Sequence, residues 1–292
     1  MIDKPGIYPD FPEADYHADP CPEPSLSNSI AKELVEKSPL HAWAMHPKFG
    51  GASRAPSSTL DHGSLVHELL LGRGPGITVV EANDWRTKAA QAERDEARAA
   101  GRTPVLAKAF LAAKKAAKAL EAGLANRGVV FDGESEVTLV WQELAAAGPI
   151  WCRARLDHLK RPIIYDLKTT GIAETRAIER LIVNMGYDMQ RAAYVRGLTA
   201  LEPDLGGRVD FVFAFVETEF PYAINVAPLD GMLREYGERR WLDAVERWSS
   251  ALRVNREARA ADPSAPRSAG FHGYHNQGRF EAPGWLLARM EG

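Results

Sequence analysis

Three stretches that follow one another closely, Glu134-Ser-Glu-Val-Thr-Leu-Val-Trp-Gln, Ile150-Trp-Cys-Arg-Ala-Arg-Leu and Pro162-Ile-Ile-Tyr, alternate and are rich in β-branched and aromatic side chains. That pattern reads as β-strand. Their connections are short: Ala145-Ala-Ala-Gly-Pro joins the first pair, and His158 to Arg161 the second. A parallel pairing needs a crossover of about a dozen residues or more, so the strands are expected to run antiparallel, as a three-stranded meander.

Helical spacing surrounds this meander. Ser25-Leu-Ser-Asn-Ser-Ile offers N-cap residues, and Ser38-Pro39 ends that helix and starts a second one through Trp43. Leu60 to Leu71 carries a helical apolar stripe closed by Gly72-Arg-Gly-Pro-Gly, and residues 85–100 and 104–124 are rich in Ala, Lys and Arg. Residues 173–183 and 187–200 are helical again, 208–216 and 222–226 are strand candidates, and a long amphipathic helix runs over about 230–256. The fold class expected is α/β: a central mixed sheet, the antiparallel meander plus further strands, flanked by helices, with a helical N-terminal portion. Residues 1–24 read as an extended arm. Residues 25–257 read as a single domain, with a helical lobe over about 25–126 and the sheet and its helices over about 127–257. Residues 258–292 read as a flexible tail whose Pro283-Gly-Trp-Leu-Leu is placed to dock back.

A chain of 292 residues buries a sizeable core. Neither a leader segment nor a run of about 18 apolar residues is visible, so the reading is a soluble, cytoplasmic protein without a membrane partner. Cys21 and Cys152 cannot supply a four-cysteine zinc or iron-sulfur site. Overall charge, 36 Lys plus Arg against 39 Asp plus Glu, points to no polyanionic partner. Local charge does: Arg86 to Lys118 holds nine basic and three acidic residues, a face for DNA or an ordinary packed and solvated helix pair.

Charge also interrupts the meander. Asp166 and Lys168, in Ile163-Ile-Tyr-Asp-Leu-Lys-Thr-Thr, share one side of their strand, and Asp157 ends the strand before. Two carboxylates and an ammonium then converge. Mg2+ takes oxygen ligands at about 2.0 to 2.1 Å, so Asp157 and Asp166 are candidate ligands, with the Leu167 carbonyl completing the set. Lys168 would neutralise charge growing on a phosphate or activate water. An isolated D-x-K is also an ordinary salt bridge. Three further polar residues favour chemistry: His67 inside an apolar helical stripe, Gln190 with Tyr194 four residues on, and Glu136 in the first strand. Each also has a plain reading, as a satisfied core histidine, a helix-surface pair and a solvated strand position.

Together, Gly63-x-x-x-His67, Arg153-x-Arg155-x-Asp157, Asp166-x-Lys168-Thr169-Thr170 and Gln190-x-x-x-Tyr194, with the amino-terminal Leu26-Ser-Asn-Ser-Ile and Ser38-Pro-Leu-His-Ala-Trp, resemble the PD-(D/E)xK nuclease superfamily. The resemblance is closest to its RecB-like and exonuclease VIII-like (RecE-type) branch of phages and prophages. It implies a restriction-endonuclease-like core and a Mg2+-dependent exodeoxyribonuclease, with Mn2+ able to substitute. Such an enzyme degrades one strand of linear duplex DNA 5' to 3', leaves 3' tails for an annealing protein, and often forms ring-like homo-oligomers. By position, Asp157 and Asp166 are the metal-binding acids, Lys168 the catalytic lysine and His67 the metal-proximal histidine. Gln190 and Tyr194 are the auxiliary pair. Glu136 is a further candidate catalytic acid, and Arg153, Arg155 and Thr169 are candidate DNA contacts. Asp166 stands where many members carry Glu, and relatives with an iron-sulfur cluster are excluded by the cysteine count. An endonuclease and an inactive DNA-binding or assembly protein are the alternatives.

Overall fold

The computed structural model describes residues 1–51, 58–129, 132–274 and 289, with backbone only at 58–62. Gly6–Tyr8 (β1) and Glu13–His17 (α1) lead into a helical hairpin of Asn28–Glu36 (α2) and Pro39–Met45 (α3). Both hairpin helices start on serine: Ser27 accepts from the Ile30 N–H and Ser38 from the His41 N–H. Ser58–Leu71 (α4), Ile77–Val80 (β2), Lys88–Ala99 (α5), Thr103–Leu106 (β3) and Ala107–Ala125 (α6) follow. The meander is Glu134–Glu143 (β4), Ile150–Lys160 (β5) and Ile163–Thr170 (β6). Thr175–Met185 (α7) and Tyr187–Leu201 (α8) are parted by Gly186 at φ 72°, and Asp210–Glu217 (β7), Ile224–Pro228 (β8) and Gly231–Ala261 (α9) complete the order.

Among the described residues, six strands form the main sheet in the order β1-β4-β5-β6-β7-β8. Its neighbours pair antiparallel except β6 with β7, where α7 and α8 carry the chain back to the starting edge. Side chains of β6 leave alternately toward two cores. Ile164 joins Phe211 and Phe213 under Met189 and Leu198 of α8, Trp241 and Trp248 of α9, and Leu34 of α2. Leu167, with Ala214 and Val216, lies against Leu65 and Val66 of α4 and the Ala113, Ala116, Leu120 and Leu124 stripe of α6. Each large side chain so buried contributes about 1.5 to 3 kcal/mol. The sheet is thus covered on both faces, and β6 is buried between them.

Four features differ from the sequence reading. The helical portion expected as one lobe is divided, with α2 on one core and α4 and α6 on the other, because the sheet needs cover on both sides. The arm adds β1 to the sheet edge, Ile7 pairing with Leu139. The helix expected from residue 104 begins at Ala107, because Thr103–Leu106 pairs in parallel with Ile77–Val80, a strand the periodicity did not reveal. The expected tail is docked as far as it is described. Phe271 is 3% exposed and packs on Phe49 and Trp248, at 5.2 and 5.5 Å between ring centroids. Asn255 donates to the carbonyls of Arg267 and Ala269 at 3.0 and 2.7 Å. The Pro283 to Leu287 segment lies outside the described residues. Among the described residues no helix is long and apolar enough to cross a membrane.

Candidate active site

Period-two alternation places Asp166 and Lys168 on the α8 side of β6 and turns Leu167 toward α4. Lys168 Nζ lies 2.5 Å from Asp166 Oδ1, and the Gln190 amide donates to Asp166 Oδ2 at 2.6 Å. Asp166 is 1% exposed, and among the described residues its Oδ1 faces the Lys168 ammonium alone. Burial pushes this carboxyl above the ordinary aspartate range; Lys168 opposes the rise and Asp157 adds to it. For Lys168, burial works against the charge, but Asp166 and Asp157 outweigh it and hold the pKa above the usual lysine range. Lys168 is therefore held as an ammonium at neutral pH.

Behind β6, the His67 imidazole of α4 meets the backbone. Its Nε2 lies 2.7 Å from the Leu167 carbonyl, which can only accept, so Nε2 carries a hydrogen and Nδ1 is the nitrogen that, in the neutral ring, offers a lone pair. That Nδ1 is 3.8 Å from Asp157 Oδ1, while Asp157 Oδ2 accepts from the Leu167 N–H at 2.7 Å. Gly63, one turn before His67, makes room for the strand: a Cβ there would stand 3.3 Å from Thr169 Oγ1.

Glu136 completes a cluster. Ser135 pairs with His158 and Val137 with Leu156, so Glu136 stands across from Asp157 in β4. Its φ of 59° is a left-handed conformation that costs about 1 to 3 kcal/mol in a non-glycine residue. Arg155 holds it there, with Nε 2.6 Å from Glu136 Oε2. One ligand atom each from His67, Glu136 and Asp157 lies within 4.8 Å of the others. Burial raises the Glu136 pKa, Asp157 raises it further, and the Arg155 hydrogen bond opposes both. Two carboxylates crowded beside an imidazole nitrogen, with the buried Asp166 carboxylate nearby, suit a hard divalent cation.

The sequence-predicted residues gather with exceptions. His67, Glu136, Asp157, Asp166, Lys168 and Gln190 come together; His67, Lys168 and Thr169 line a cleft of about 1210 Å3, while Glu136 lines a separate pocket with Arg155. Asp166, expected as a ligand, is outside the three-residue set and instead holds Lys168 and Gln190. The Leu167 carbonyl, also expected as a ligand, is engaged by His67. Tyr194 is 8% exposed beneath Gln190, where burial raises its pKa and a hydrogen bond with Gln190 lowers it, so it supports the glutamine. Arg153, expected to touch DNA, is 5% exposed and bound to Asp19 at 3.3 Å and to the Ser25 carbonyl at 3.2 Å. Arg155, expected likewise, is spent on Glu136 and on the Phe11 carbonyl at 2.8 Å. The sequence reading missed Tyr187, whose ring lies 4.8 Å from Lys168 Nζ. Its position three residues before Gln190, on the same helical face, was the available signal.

A family profile described as a PDDEXK-like domain of unknown function (DUF3799) matches residues 27–260. Among solved structures, a protein from Eubacterium rectale described as a candidate exonuclease superposes with a TM-score of 0.55 at 14% identity, covering 80% of this chain and 82% of its own. At that identity the likeness is one of fold. A second structure, SSO0001, covers 62% of this chain and 83% of its own at 17% identity, and its TM-score of 0.28 carries no argument. No curated protein matches the sequence.

Proposed function

The chain belongs to the PDDEXK-like family whose profile spans residues 27–260, and from that premise we propose that it is a divalent-metal-dependent deoxyribonuclease that digests linear duplex DNA from its ends. The finer reading follows the RecE-type motifs: Mg2+ as the metal, with Mn2+ able to replace it, 5' to 3' digestion, and 3' tails handed to an annealing protein by an oligomeric enzyme. One observation carries the catalytic part, the convergence of His67, Glu136 and Asp157 beside the buried Lys168–Asp166 pair, with His67 and Lys168 on the wall of a large cleft.

His67, Glu136 and Asp157 would hold the cation. When bound, it supplies Lewis-acid polarisation of the phosphate and activation of water. The rest falls to the chain. Lys168, fixed by Asp166 and Tyr187, sets a permanent positive charge where negative charge grows on the scissile phosphate. Gln190 keeps Asp166 oriented, and Tyr194 keeps Gln190 in place. The Leu167 backbone aligns His67 through its carbonyl and Asp157 through its N–H. Lys108 and Thr169, on the cleft wall, contact the sugar-phosphate chain.

The test compares linear duplex, the same duplex blocked at either 5' or 3' ends, and covalently closed circles, with Mg2+ or with chelator. Loss of linear duplex blocked only at 3' ends, with circles intact, is expected. Equal cutting of circles makes the enzyme an endonuclease, and binding without cutting under Mg2+ or Mn2+ makes it a DNA-binding protein.

A further inference from the structure

One lip of the cleft exposes an aromatic ring. Phe220, between β7 and β8, is 87% exposed and lines the cleft with Thr218, Glu219 and Tyr222. A lone exposed aromatic is ordinary on protein surfaces. Here three observations give it a use. First, its hairpin is fixed to the catalytic strand: the Thr218 N–H donates to the Thr170 carbonyl at 3.0 Å, two residues beyond Lys168, and the Tyr222 N–H to the Glu219 carbonyl at 2.7 Å. Second, Tyr222 is held at a φ of 58°, packs on the core under α4 and α6, and sets the Phe220 ring edge-on at 6.4 Å and 89°. The ring is therefore presented by a rooted support, with little conformational freedom to lose on binding. Third, the same cleft carries Lys108 and Lys168 for phosphates and the half-exposed Met185 for an apolar edge.

We propose that Phe220 is a stacking platform for a nucleobase of single-stranded DNA, placed so that the strand's phosphates run past Lys168 while one base lies on the ring. The proposal rests on the nuclease reading and names the form in which the strand enters the site: unpaired. Base stacking on an aromatic side chain tolerates any sequence, which suits an enzyme that must traverse whatever DNA it meets.

The experiment uses an oligonucleotide carrying 2-aminopurine near its 5' end, titrated with the full chain in chelator so that nothing is cut. Wild type is expected to quench the fluorescence; Phe220→Ala should abolish quenching and bind roughly tenfold more weakly. Phe220→Trp should restore both, and the exposed position leaves the melting temperature of each variant unchanged. Quenching and affinity equal to wild type in Phe220→Ala would overturn the proposal, as would failure of wild type to quench. Loss of self-association in Phe220→Ala, read as mass by light scattering with quenching intact, would assign the ring to a subunit contact and overturn it too. Cleavage in Mg2+, measured separately on wild type, distinguishes the two readings: quenching without cleavage leaves the platform and removes the nuclease, and cleavage with Phe220-independent quenching does the reverse.

Discussion

Lys168 is ringed by Asp166, Asp157 and the face of Tyr187, so its charge is fixed rather than titratable near neutrality. Lys168→Ala should lower the turnover of DNA digestion by about 100-fold to 1000-fold, the cost of removing one preorganised charge from a transition state. Mn2+ affinity, read by isothermal titration, should stay within about twofold of wild type, whereas His67→Ala should weaken it by tenfold or more. The positions of Asp166, Lys168 and Gln190 were legible in the sequence because strand and helix periods alone put them on shared faces. Arg153 was not, because its spacing from Asp157 is the same whether it points to DNA or into the fold; only Asp19, distant in sequence, decides it. Asp19 also makes a pH prediction. Burial raises its pKa, but the His46 hydrogen bond, the Arg153 charge and the Ser25 N–H outweigh it and lower the value to about 2. A folded pKa below the unfolded one gives stability that is present in full above the unfolded pKa of 3.8 and is lost as pH falls toward about 2. Urea unfolding of Asp19→Asn should show roughly 2 kcal/mol less stability near pH 6 and a flatter decline toward pH 3.

Between elements, the crossing of α8 and α9 sets how close the auxiliary helix comes to the sheet. Gly237 permits it: a Cβ there would stand 2.1 Å from the Asp188 carbonyl oxygen, which is backbone and cannot move aside. Gly237→Ala should destabilise the fold by about 1 to 3 kcal/mol in chemical denaturation, the usual cost of overpacking. Buried Arg240 pairs with Asp188 at 3.0 Å beside this crossing, joining the helices at the same point. The helices themselves were readable from their apolar stripes and caps. Their allocation to two faces was not, because an amphipathic stripe states that a face is buried but not against what. The segment after α9 was misread for a related reason, since its Pro, Ser and Gly content resembles a loose tail while one residue, Phe271, anchors it. Phe271→Ala should cost about 3 kcal/mol and expose residues 262–274 to protease.

Across the whole molecule, an antiparallel meander and one parallel addition bury β6 and β7 between two helical layers, and β6 carries Asp166 and Lys168. A charged pair in such a place is costly unless it is fully partnered. Here Lys168 and Asp166 partner each other, and Gln190 and Tyr187 of α8 add a hydrogen bond and a ring face. The fold class was legible because short connections admit one meander topology, and the site was legible because polar residues broke apolar patterns. The strained Glu136 was legible only as a candidate, since its approach to Asp157 depends on a left-handed residue no pattern announces. If His67, Glu136 and Asp157 form the cation site that drives DNA hydrolysis, nucleotide release from linear duplex across a Mg2+ titration should separate wild type from Asp157→Asn with an unchanged unfolding midpoint. Mg2+-dependent release by wild type and a loss of at least about 100-fold in the variant at saturating metal are expected. Release by the variant at the wild-type rate and with the wild-type Mg2+ dependence would contradict this assignment.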